Sequence, residues 1–262
     1  MRIGGLKRKG GLRIEVSMPS LFNLFLAVHI GAGVVALLSF WGAVATRKGG
    51  EAHRRWGQVF SAAIYVAAVQ ALGMGGLSLK WPLAMHPGLT DETLYRGMFG
   101  TMMVYLGLLA ISMTRYGLVM VKNRRDHDAN RHWSMLALQG GTLLAAAICL
   151  GHGVVLLRDY GPIMEPVLMV MVALIGFGTS LTYFRYIFTP NPPAGAYIPE
   201  HLKAMVACGI AAYTAFLSVG LVDMFPDHAF NPAIWSVPTF FGMWIIVHHL
   251  RVWTPKKGRI QA

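Results

Sequence analysis

Seven stretches of about 20 predominantly apolar residues follow one another along the chain, at 21–45, 57–79, 98–121, 135–157, 165–184, 203–223 and 234–252. A segment of this kind crosses the hydrocarbon core of a bilayer as a helix, because no water is present there to satisfy backbone amides. The expected fold class is therefore all-α, a polytopic membrane helical bundle of about seven transmembrane helices. Residues 21–252 form one domain between a basic tail at 1–20 and a second basic tail at 253–262. Pro238, His248 and His249 interrupt the last stretch. Composition agrees: 55% of residues are hydrophobic and 13% charged, where soluble domains carry about 25% charged residues. Too few polar side chains remain to clothe such a core in water, which disfavours a soluble enzyme and a disordered chain.

A formal charge of +12 would suggest a nucleic-acid partner in a soluble protein, so the position of the cations matters. They cluster between the apolar runs: Arg47, Lys48, Arg54 and Arg55; then Lys122, Arg124, Arg125 and Arg131; then Arg251, Lys256, Lys257 and Arg259. Connections rich in Lys and Arg stay on the cytoplasmic side. This expectation replaces nucleic acid with membrane lipids as partner and describes a multi-pass protein of the cell membrane with a cytoplasmic C-terminus. The N-terminal cations Arg2, Lys7, Arg8, Lys9 and Arg13 oppose it, and reading 1–17 as a start-site extension before Met18 removes the conflict. Cys149 and Cys208 sit inside apolar runs and offer no disulfide framework.

Ionisable side chains within hydrocarbon are costly, so each is a functional candidate. His29 lies about 12 Å below the outer end of its helix and His152 about 7 to 8 Å below its own, at 1.5 Å per residue. Each shares a stripe with small residues: Gly33 and Ala36 beside His29, Gly141 and Ala145 beside His152. Two imidazoles from different helices with room between them suit the axial ligands of a b-type haem. The same stripes also suit close helix packing with the histidines acting as braces. At the basic rim, His53, His132, His201, His248 and His249 gather near Arg54, Arg131 and Arg115. That rim fits anions: haem propionates, a quinone head group or lipid phosphates. Asp126, His127 and Asp128 lack a further metal ligand at recognisable spacing. Glu165, Asp223 and Asp227 fall at outer helix ends. No acid is expected deep in the bundle, which counts against proton-coupled transport, and no residue is assigned a catalytic role.

The run from His29 to Gly57 carries His29, Gly33, Ala36 and Leu37, then Lys48, Gly49, His53, Arg54 and Gly57. It resembles the signature of an uncharacterised bacterial multi-pass membrane family with a His-x3-Gly helix and a Lys-Gly-x3-His-Arg-x2-Gly loop. Arg131, His132 and Met135 resemble that family's second histidine block. The resemblance covers the first four spans and implies a fold and a set of marked histidines, without a reaction. A more distant likeness is to the two-haem transmembrane b-type cytochromes. His132 and His152, 20 residues or about 30 Å apart on a helix, depart from their spacing, so one outer haem between His29 and His152 is the expectation.

Two functional readings result. The first is an electron-transfer or oxidoreductase subunit with haem b at His29 and His152, and a quinone or redox partner protein served by the rim. The second is a non-catalytic accessory or permease-like protein whose histidines brace helices.

Overall fold

The structure is a computed structural model that describes residues 18–217 and 232–253. Among them it is all-helical, without a strand. The order is α1 (Met18–Ala45), α2 (Glu51–Lys80), two short turns α3 (Pro82–Met85) and α4 (Glu92–Tyr95), a π-helical segment (Arg96–Met102), α5 (Met103–Lys122), a 3-10 turn (Asp128–Arg131), α6 (Trp133–Tyr160), α7 (Met164–Ile187), α8 (Tyr197–Ala215) and α9 (Pro232–Trp253). Five of these are long and apolar enough to cross a membrane: α1, α2, the continuous helix Glu92–Lys122, α6 and α7. α8 and α9 do not join that set, so seven spans are not established. The outer end expected for the sixth span, with Asp223 and Asp227, lies outside the described residues. So do most of the basic tails, although 18–20 are already helical.

The first hairpin shows what its sequence motif does. Gly49 adopts φ +74°, the left-handed region open to glycine, and this lets the chain reverse between α1 and α2. The helix leaves its last carbonyls unpaired. Lys48 Nζ donates to the carbonyls of Ala43 and Val44, and His53 Nδ1 reaches back from α2 to the Ala43 carbonyl at 3.0 Å. The Lys48, Gly49 and His53 triplet is thus the hardware of a helical turn. At the start of α6, His132 is the N-cap, accepting at Nδ1 from the Ser134 amide.

α5 is the centre of the bundle and packs on α2, α8 and α6. Its Tyr105, Tyr116 and Met120 are almost fully buried. α1 lies along α2, α6 along α7, and α8 against α9. Between helices surrounded by lipid, close approach at small residues replaces the hydrophobic drive. Gly107 of α5 accordingly faces the Ala68 carbonyl of α2. Some hydroxyls inside the spans return to their own helix, as Ser61 does to Gly57 and Thr142 to Leu138, while others cross to a neighbour, as Ser112 does to Gln139. α9 continues through Pro238 instead of breaking there.

The third span departs from simple α periodicity. Seven residues of π-helix, Arg96–Met102, shift the phase of the side chains that follow. His152 packs on this segment, with Nδ1 at 2.9 Å from the Thr101 hydroxyl and Nε2 close to Gly97.

Candidate functional site

The structure does not bring His29 and His152 together. His29 Nδ1 donates to the Ala67 carbonyl of α2 at 2.8 Å, and Ala67 is level with Gly107 of α5. His152 instead meets Gly97 and Thr101, six residues or more nearer the start of that span, about 10 Å along its axis. α1 packs chiefly on α2, whereas α6 packs on α7, α5 and the π segment. Depth measured from helix ends treats every helix as equivalent and says nothing about which neighbour a face meets. Each of these histidines instead braces one helix to another.

The rim residues are partly assembled. His53 and His201 come together, with ring centroids 6.5 Å apart and planes at 76°. Both are oriented alike: His53 Nδ1 donates to Ala43 and His201 Nδ1 to the Gly117 carbonyl, the latter at 2.7 Å. Arg115 joins Ser134, whose hydroxyl lies 2.9 Å from His132 Nδ1. Arg131 is committed elsewhere, to the Ile187 carbonyl and to Asp128. Arg54 is exposed. His249 Nδ1 bonds the Ile245 carbonyl of its own helix. Among the described residues, no three His, Cys, Asp or Glu side chains are placed to hold a metal ion together.

Beside the imidazole pair stands a constellation absent from the sequence reading. Helix α8 begins at Tyr197, six residues before the expected Lys203, so Glu200 and His201 enter the bundle. Glu200 is buried at 8% exposure. The Tyr116 hydroxyl of α5 donates to its Oε2 at 2.7 Å, and Lys203 pairs with its Oε1. Tyr183 of α7 stacks on Tyr116, with centroids 3.7 Å apart and planes within 10°. A buried carboxylate thus has both oxygens engaged where three helices meet. One sequence signal was present: Glu200 and Lys203 stand at i and i+3 on one helical face. Sequence places Glu200 and His201 at the opening of the sixth span, but the partner Tyr116, 84 residues away, carries no signal there.

A small apolar crevice between α1, α8 and α9, lined by Phe40, Trp41, Tyr213 and Phe241 among others, has no ionisable lining beyond the tyrosine phenol. The chain gives no significant match to any family model, curated protein or solved structure.

Proposed function

We propose that the protein is a permease-like, multi-pass protein of the cell membrane in which Glu200 is the proton-accepting group. In this reading α8 and α9 are the sixth and seventh spans and the basic connections face the cytoplasm. The resemblance of the first hairpin to a multi-pass family supports the topology. The observation that carries the functional reading is the buried Glu200 carboxylate between Tyr116 and Lys203. Ionisable groups in such a setting are costly and are kept for proton relays and substrate paths. Protonation of Glu200 removes the ion pair that Lys203 makes with it inside α8 and weakens the bond from Tyr116, the contact that joins Glu200 to α5. The bond from His201 to the Gly117 carbonyl also joins the two helices. The other histidines act as braces: His29 on Ala67, His152 on Thr101 and His53 on Ala43.

The test is proton movement into proteoliposomes that carry a trapped pH dye under an imposed membrane potential. Glu200→Gln is expected to slow the protein-dependent rate at least tenfold while the melting temperature changes little. Equal rates for the two proteins would remove Glu200 from this role.

A second reading rests on the imidazole pair. With both Nδ1 atoms held by carbonyls, Nε2 is the nitrogen left for a metal, the arrangement in which histidine ligands are usually oriented. In this reading His53 and His201 would be the residues that hold a b-type haem, with Arg54 serving the propionates or a quinone head group. Such a group supplies one-electron chemistry toward a quinone or a redox partner protein. A reduced-minus-oxidised spectrum of the purified protein then shows haem bands that vanish in His53→Ala and in His201→Ala but persist in His29→Ala. A colourless, folded preparation that takes up no added haem ends this reading.

A further inference from the structure

Among the described residues, Arg115 is the cation set furthest inside a membrane-length helix. Lys122, which closes α5, lies seven positions on, about 10 Å along the axis. Lys80, Arg158 and Arg185 stand within a residue or two of their helix ends. A cation at this depth is costly unless something compensates it.

No carboxylate compensates Arg115 among the described residues. Glu51 pairs with Arg55, Asp128 with Arg131, and Glu200 with Lys203. The contacts of Arg115 are neutral. Its Nη2 donates to Ser134 Oγ at 2.8 Å, and the Tyr65 phenol of α2 lies within electrostatic reach. Its Nε is buried and has no hydrogen-bond partner, a condition that costs about 1–3 kcal/mol when nothing accepts from the group. The guanidinium therefore carries an unbalanced charge, an unused donor and a hydroxyl at its side.

The missing complement is an anion with several acceptor oxygens, to which a planar guanidinium binds through two parallel N–H bonds. The level of the site narrows the choice. Ser134 is the second residue of α6, and Trp133 beside it is 73% exposed. Exposed tryptophan marks the interfacial belt, where lipid phosphates lie. Arginine side chains inside a span reach toward that layer.

We infer that Arg115, held in place by its bond to the Ser134 hydroxyl, binds a phosphate group at the basic end of the bundle, between α5 and α6. This inference does not rest on Glu200, and Glu200→Gln leaves it intact. Two sources share the chemistry, an anionic phospholipid head group and a free phosphate.

Two probes separate them, used with the full chain in neutral detergent. Retained phosphatidylglycerol is counted by native mass spectrometry, and inorganic phosphate binding is measured by calorimetry. Arg115→Gln is expected to weaken the probe that binds by about tenfold, the size of a charge-assisted hydrogen bond. Ser134→Ala keeps the charge and is expected to weaken it by about threefold. Binding of phosphatidylglycerol alone identifies the lipid source; binding of inorganic phosphate identifies a free phosphate. The inference is overturned if the parent protein binds neither probe, or if Arg115→Gln binds as the parent does. Where Arg115→Gln does not fold, Ser134→Ala decides, and unchanged binding in that variant overturns it.

Discussion

Lys203→Met is expected to lower stability by about 2 kcal/mol, and adding Glu200→Gln to the same chain is expected to restore more than half of the loss. Removing one partner of a fully buried ion pair costs about 3–5 kcal/mol, because the other charge is stranded. The figure here is smaller because 40% of the Lys203 side chain reaches solvent, against 11% for Glu200. Glutamine removes the stranded charge yet keeps a carbonyl oxygen for the Tyr116 hydroxyl, so only the ionic part of the site is lost. Chemical unfolding of the parent, the two single variants and the double variant forms a closed cycle that isolates the coupling. A double variant less stable than Lys203→Met would show that Glu200 does not depend on that ammonium.

Gly176→Ala is expected to cost about 3 kcal/mol, at the upper end of overpacking effects. A Cβ on Gly176 would stand 1.7 Å from the Tyr105 hydroxyl oxygen and 2.8 Å from the ring carbon bearing it. Tyr105 cannot withdraw: it is 1% exposed, and its hydroxyl donates to the Val172 carbonyl at 2.8 Å. Gly178, two residues along the same helix, has nothing within 4 Å of its Cβ position. Gly178→Ala is therefore expected to be neutral or stabilising by about 0.5–1 kcal/mol, the helix-interior difference between the two residues. Adding Tyr105→Phe to Gly176→Ala removes the nearest atom and returns part of the loss. Equal melting temperatures for Gly176→Ala and Gly178→Ala would contradict the packing of α5 on α7.

Much of the architecture could be read without coordinates. The apolar runs at 21–45, 57–79, 98–121, 135–157 and 165–184 each coincide with a helix of membrane-spanning length. Residue-by-residue hydropathy suffices for that, since a helix in lipid satisfies its own backbone. The Lys48, Gly49 and His53 motif marked a real feature, and the structure supplies its role in closing a hairpin. Helix ends were less legible. α8 starts at Tyr197, ahead of the expected Lys203, and no property of 197–202 alone announces that Tyr116 engages Glu200. Which neighbours His29 and His152 meet was not legible either, because histidines on small-residue stripes brace helices as readily as they bind a cofactor.

By itself, then, the amino-acid order determined that this is a helical chain suited to a bilayer and where its positive connections lie. Those properties depend on neighbours within a few positions or on averages over one helix. Only the tertiary structure decided which faces meet. Tyr116 and Glu200 stand 84 residues apart, as do His201 and the Gly117 carbonyl. Such pairs exist because glycines such as Gly117, which faces Ala204 and Met205, let helix surfaces interlock in one arrangement, and an interlock between separate segments has no periodicity in either segment alone.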